Sequence, residues 1–363
     1  MHRNERQEMT MRYWMFILCL VVSLMTFKAS ASEQSSKVDA KGMVFHHIQD
    51  SYKWHILSWG EHRISVSLPI IIYSTESGWH CFSSSRLDEG RTYEGFKFDS
   101  NGKVVELRND GKEVRPIDFS ITKTVLCLFI NCMILVAIIL YTVRWYKRNT
   151  PKSLAPKGFI GFMEMLIVML EEDVIRSCIG KEYKKYSPYL LTAFFFILIN
   201  NIMGLIPIFP GGGNVTGNLS ITLVLALCTF IAVNASATKA YWKEIFWPDV
   251  PLWLKLPLPL MPVIELFGIF TKPFALMIRL FANIMAGHSV ILALTSIVFV
   301  TAGMGIIVCT SMSIVSILFT IFMYGVEILV GFIQAYVFTM LSAVFIGMSK
   351  IETHPSEPTN IHH

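Results

Sequence analysis

The chain has 363 residues, 53% hydrophobic and 16% charged, with a formal net charge of +5. Soluble domains carry about 25% charged residues, so the composition points away from a soluble fold and to a polytopic α-helical membrane protein. The basic surplus sits in loops and in one polar segment, which makes it a topological signal and argues against a nucleic-acid partner.

Residues 1–31 read as a signal peptide. Arg3, Arg6 and Arg12 form a basic start, Tyr13 to Phe27 an apolar core, and Ala29-Ser30-Ala31 a small-x-small cleavage pattern. The alternative is an uncleaved anchor helix. The core is short for a span, which favours cleavage.

Residues 32–120 are polar and are expected to be exported as a small β-rich segment. Ile64 to Leu68 alternates like a strand, and Phe96 to Leu107 reads as a hairpin turning at Asn101-Gly102. His46, His47, His55 and His62 crowd its start, but their spacing matches no standard ligand set. Of the seven cysteines only Cys81 falls here, so a disulfide framework lacks a partner. The segment carries no signal for a function.

The first span is expected at Thr124 to Val143. Arg144, Lys147, Arg148, Lys152 and Lys157 follow it and mark a cytoplasmic loop. Gly158 to Gly180 has an apolar core too short to cross, followed by Glu171-Glu172-Asp173. An amphipathic helix at the cytoplasmic interface is expected there. The second span is expected at Pro188 to Phe209 and the third at Leu219 to Thr238, with Asn218 and Ser220 at the outer edge of the third. Asn214-Val-Thr216 matches a glycosylation sequon by letter, as a chance run would. The loop Phe246 to Pro259 is rich in Trp and Pro and is expected to lie along the membrane surface.

Two long apolar segments close the chain. Leu260–Val300 carries only Glu265, Lys272 and Arg279 as charges, and Gly305–Ser349 only Glu327. At about 1.5 Å per residue each exceeds roughly 55 Å as a helix, against a bilayer core of about 30 Å. They must tilt, kink or lie partly along the membrane, with Pro273 the expected kink. The positive-inside bias gives five spans after signal removal, an outer N-terminus, and an inner C-terminal tail over 351–363.

Arg279 stands out. An arginine at bilayer depth costs about 2.5–3.5 kcal/mol on insertion scales, and a chain that bears this cost usually uses the charge. The bland alternative is a structural ion pair. On a helix Asn283 shares its face at i+4, and Glu265 lies fourteen residues back near the same face. His288 turns to the opposite face, nine residues on. On the last helix Glu327 and Gln334 are seven apart and share a face. Asn283 and Gln334 could equally be interhelical glue, and Lys272 could simply snorkel. A hairpin centred near position 307 levels His288 with Glu327, Arg279 with Gln334 and Asn283 with Gly331. A centre at 303 would instead set Glu327 against Arg279 and make a plain ion pair. The first register supplies buried polar groups with partners. A guanidinium keeps its proton at any relevant pH, so Arg279 is no relay; it can hold a carboxylate ionised and block a leak. No HExxH, CxxC or phosphate-binding loop occurs, so the chain cannot hydrolyse ATP by the usual route, and no cofactor is implied.

Lys272-Pro273, Leu276-Met-Ile-Arg279-Leu-Phe-Ala-Asn283 and Ala286-Gly287-His288 together resemble the signature of the subunit a family of F-type ATP synthases. Tyr189 to Pro207 and Gln334 to Met340 extend the resemblance, which runs from about Gly158 to Ser349. It implies a non-catalytic, proton-translocating stator subunit in a bacterial inner membrane. It implies a tilted hairpin against a rotor c-ring, and a peripheral stalk subunit b as neighbour. It gives Arg279 the position facing the ring acid. It implies proton entry from outside along His288, Glu327, Asn218 and Ser220 and exit near Glu265. In many relatives the acid and the histidine at positions 288 and 327 stand in the reverse order, which keeps one of each. The resemblance does not clearly cover residues 32–120.

Overall fold

The computed structural model describes residues 50–59, 62–99, 102–107, 113–149, 156–206, 212–213, 215–246, 260–301 and 306–350. The expected signal peptide, the tail 351–363 and the Trp/Pro-rich stretch 247–259 lie outside the described residues, as do His46 and His47.

The described residues between 50 and 118 form short antiparallel strands and one 3-10 helix, Ser84–Gly90. β1 (Lys53–Trp59) pairs with β2 (His62–Ser67), setting Trp54 opposite Val66. β3 (Pro69–Ser74) is flanked by β4 (Gly78–Ser83) and β8 (Ile117–Asp118). β5 (Phe96–Phe98), β6 (Val104–Leu107) and β7 (Glu113–Val114) form the third sheet. The run Ile70-Ile-Ile-Tyr73 favours a strand through its β-branched side chains, and Ile70 and Ile72 point into a core with Tyr52, Phe82, Leu87, Phe96 and Val104. The expected Phe96–Leu107 hairpin is formed by β5 and β6, and Asn101 of its expected turn lies outside the described residues. Asp99 donates its N–H to the Lys103 carbonyl and accepts from Gly102, each at 2.8 Å. Gly102 takes φ +70°, which glycine adopts at no steric cost.

The strands run into the first span without slack. Phe119 and Ile121 still hydrogen-bond to Ile71 and Pro69 of β3. Helix α1 (Lys123–Arg148) starts two residues later. Its first amides are capped from the strand segment: Lys123 N–H donates to the Ser51 carbonyl and Thr124 N–H to Asp50 Oδ1. Tyr52 hydrogen-bonds Asp118 at the same junction. Burial first, then the Asp118 carboxylate, push its phenol above the ordinary tyrosine range.

α1 buries only the narrow stripe Thr124, Cys127, Asn131, Leu135 and Thr142, and leaves Phe129, Met133 and Leu140 exposed for lipid. α2 (Phe159–Met169) continues through a π-helical stretch, Leu170–Arg176, to Gly180. Ile160, Met163 and Leu166 face protein, while Phe159, Phe162 and Met165 on the other side are exposed. Glu164 is the one charged residue of α2; the polar side of the expected amphipathic stretch lies in its π-helical continuation, where Glu172, Asp173 and Arg176 are exposed opposite the buried Leu170, Val174 and Ile175. Gly180 at φ +76° allows the chain to turn into α3 (Tyr183–Leu205). α4 (Leu219–Ser236) is capped by Asn218, and a short helix α5 (Lys239–Phe246) follows where only loop was expected.

α6 (Leu260–Thr301) and α7 (Ile306–Met348) form the long hairpin. α6 stays helical straight through Pro273. Leu190, Phe194 and Ile197 of α3 meet Leu276 and Leu280 of α6 and Ala335, Phe338 and Ile346 of α7 in the main core. Gly347 lies against the Cys178 carbonyl, so the end of α7 rests on the turn before α3. Among the described residues five helical runs are long and apolar enough to cross a membrane; one of them joins α2 and α3 from Phe159 to Leu205.

Candidate proton-path site

Three helices meet around a line of polar side chains. His288 of α6 and Glu327 of α7 share a hydrogen bond of 2.7 Å between Nδ1 and Oε1. Glu327 is only 4% exposed, so its charge is worth forming only with a partner of this kind. The other ring nitrogen, Nε2, lies 3.3 Å from the Gly204 carbonyl at the end of α3. Gly287 makes the pairing possible: a Cβ there would sit 2.7 Å from Glu327 Oε1 and 2.9 Å from its carboxyl carbon.

One turn nearer the middle, Asn283 donates from Nδ2 to Gln334 Oε1 at 2.7 Å. Gln334 therefore bonds Asn283, where levelling by number had set it beside Arg279. Long side chains reach along the helix axis, so contacts run a turn ahead of backbone levels. Gly331, expected level with Asn283, accepts through its carbonyl from Asn201 Nδ2 of α3 at 3.0 Å. Asn201 Oδ1 in turn accepts from Thr216 Oγ1 at 2.7 Å. Its neighbour Asn200 accepts from Asn131 of α1 at 2.9 Å. Polar residues inside apolar walls hold helices together when every group finds a partner. Asn200 and Asn201 were the missed residues; two asparagines inside an apolar span are themselves the signal.

Arg279 is exposed on the outer face of the hairpin. Among the described residues it has no hydrogen bond or ion pair. Ala275, Ala282 and Ala286 are exposed beside it, so the surface around the guanidinium is low. Glu327 bonds His288 through Oε1, and no ion pair between Glu327 and Arg279 forms among the described residues.

The remaining residues lie apart from this line. Asn218 and Ser220 are joined as a cap, with the Ser220 N–H donating to Asn218 Oδ1 at 3.0 Å. Glu265 is exposed near the start of α6, close enough to Tyr241 of α5 to act on it. Burial first, then that carboxylate, raise the Tyr241 phenol. A small cavity opens there, lined by Asn234, Tyr241, Lys272, Phe345 and Met348. Lys272 holds its ammonium 5.6 Å from the Phe345 ring centre.

Comparison with known proteins matches residues 128–347 to the family described as ATP synthase A chain. Residues 43–119 match a second family, described as a domain of unknown function, DUF8433. The chain is 44% identical to ATP synthase subunit a of Chlorobium phaeobacteroides (strain DSM 266) over 243 residues, 65% of this chain and 67% of that protein. It is 42% identical to ATP synthase subunit a 2 of Chlorobaculum tepidum over 260 residues, 70% and 69% of the two chains. Against ATP synthase subunit a of Anaeromyxobacter sp. (strain Fw109-5) it is 32% identical over 340 residues, 91% of this chain and 75% of the relative. A lone outward arginine and a bonded histidine–glutamate pair thus stand inside a stretch matched over more than half of the chain: it belongs to the F-type ATP synthase subunit a family.

Proposed function

We propose that this chain is the stator subunit that loads and unloads protons on the rotor c-ring through two offset half-channels. The observation that carries the reading is Arg279: an exposed, permanently charged residue on a hairpin face lined by alanines, with no partner among the described residues. A charge kept in that position at a cost of about 2.5–3.5 kcal/mol needs an external counter-charge, and the ring carboxylate supplies it.

Protons enter from outside at the His288–Glu327 pair, with Asn218 and Ser220 at the mouth. They neutralise a ring acid, travel with the ring, and leave near Glu265 and the cavity beside Lys272. Asn283 and Gln334 hold the two helices together beside Arg279, which separates the two half-paths. One proton crossing about 100 mV releases about 2.3 kcal/mol, so several must be summed by a ring for each ATP. The chain performs no ATP chemistry itself; the ring and a peripheral stalk subunit b are its partners. It sits in the bacterial inner membrane with residues 32–120 outside and the C-terminus inside, after removal of residues 1–31.

Arg279→Ala tests the reading. Membrane vesicles carrying it are expected to make no ATP under a proton gradient, while the variant subunit still copurifies with a c-ring. Synthesis at wild-type rates, or failure of the wild-type chain to copurify with any c-ring, overturns the assignment.

A further inference from the structure

The strand segment 50–118 has no part in the proton path just proposed, yet it touches the loop that borders it. Trp54 of β1 is 2% exposed and shares one buried apolar cluster with Cys127 of α1 and Val215 of the loop between α3 and α4, with Ile221 packed against that cluster. A fully buried tryptophan is among the largest single apolar contacts a small domain can make. The same loop is gripped from α1, since Gly213 packs so closely on Cys127 that a Cβ there would fall 2.7 Å from the Cys127 Cβ.

From this seat two short routes lead to the buried pair. Thr216 is 1% exposed and donates to Asn201, which donates to the Gly331 carbonyl, one turn beyond Glu327 on α7. Gly204 lies between the loop and the histidine: a Cβ on it would be 3.7 Å from the Gly213 carbonyl and 3.9 Å from His288 Cε1 and Nε2. Capping of α1 by Asp50 and Ser51 fixes β1 to the membrane helices, so Trp54 cannot drift away from the loop on its own. Among the described residues His288 bonds Glu327 and faces the Gly204 carbonyl. Tyr324 of α7 lies within electrostatic reach of Glu327.

We infer that the strand segment is a brace for the outer half-path, and that Trp54 is its positioning residue: it seats the 212–218 loop, which holds the outer side of the His288–Glu327 pair. This gives the segment a task. It rests on the reading of His288 and Glu327 as the outer proton path.

The test uses the whole ATP synthase in membrane vesicles, comparing Trp54→Ala, Trp54→Phe and Val215→Ala with wild type. Proton-driven ATP synthesis is followed while the pH on each side is varied separately. Trp54→Ala is expected to move the midpoint of the outer-pH dependence by about half a unit or more, leaving the inner-pH dependence in place, because only the surroundings of the outer pair change. Trp54→Phe, which keeps an aromatic ring in the seat, restores the wild-type midpoint. Val215→Ala approaches the same contact from the membrane side and is expected to shift the outer midpoint in the same way, even where Trp54→Ala fails to accumulate. An unshifted outer midpoint in Val215→Ala or in Trp54→Ala, at normal subunit levels, overturns the brace. His288→Ala is run alongside. If it leaves the outer-pH dependence untouched, the proton-path reading itself fails; if it abolishes that dependence while the seat variants behave as wild type, the brace alone is lost.

Discussion

His288 and Glu327 are 39 residues apart in the chain and 2.7 Å apart in space. Their contact fixes the hairpin of α6 and α7 in one register, because sliding either helix by a single residue would turn one of the two groups away by about 100°. A buried carboxylate left facing apolar side chains loses a charge-assisted bond and keeps the full desolvation penalty, so the alternative registers are disfavoured by several kcal/mol.

Gly287→Ala tests how tightly this pair is built. The added methyl group meets the Glu327 carboxyl, which must swing off His288. Overpacking of this kind destabilises by about 1–3 kcal/mol, and proton-driven ATP synthesis is expected to fall about tenfold or more. Normal synthesis rates in Gly287→Ala vesicles would show that the pair is not needed in this geometry.

Asn201→Leu removes two buried hydrogen bonds at once. The Thr216 hydroxyl and the Gly331 carbonyl then lose their partner in an apolar setting. The expected loss is about 1–3 kcal/mol of stability, read as a lower midpoint of thermal unfolding of the purified complex in detergent. A midpoint at or above wild type would mean that the network is not holding the helices.

Topology can be checked with cysteines already present. Cys81 is exposed on β4, and Cys178 lies in the turn beside the end of α7. An impermeant maleimide added to intact spheroplasts is expected to label Cys81 and spare Cys178; the opposite pattern requires the reverse orientation.

Glu94 gives the strand segment an acid limit. It is bonded to His80 at 2.7 Å, at a backbone φ of +50°. The His80 ring first, and the Tyr93 hydroxyl next, lower its carboxyl pKa from 4.5. The folded carboxyl titrates below its unfolded value, so the stability it adds is complete above pH 4.5 and is lost as pH falls through the lower folded value. Carboxyl NMR of the labelled full-length protein is expected to show Glu94 titrating below an ordinary glutamate, and His80→Ala is expected to bring it back. A Glu94 that titrates normally in the wild type contradicts the bond.

The helices were legible because twenty apolar residues have few other fates. The hairpin pairing followed from the need of buried polar groups for partners together with the family resemblance, and the His288–Glu327 contact lies at the register centred near 307. Gln334 was paired with the wrong neighbour because numbering gives backbone level, whereas a glutamine reaches most of a helical turn. In the sequence Asn200 and Asn201 stand as two letters of the family pattern, which does not disclose the link from Thr216 to Gly331. Trp54 carries no signal in sequence at all: one tryptophan in a short strand does not say that its pocket lies on another part of the chain.

The Trp54 seat also sets a clock on biosynthesis. Val215, which closes the seat, is made about 160 residues after Trp54. At about 5–20 residues per second that interval is on the order of ten to thirty seconds. During it the strand segment already exists while half of its pocket is still inside the ribosome or the insertion machinery. An indole that will end 2% exposed must wait in the open until α3 has been inserted and the loop has crossed to meet it. The newborn chain therefore passes through a stage with an adhesive patch on its strand segment, and any factor that escorts it has those seconds in which to act.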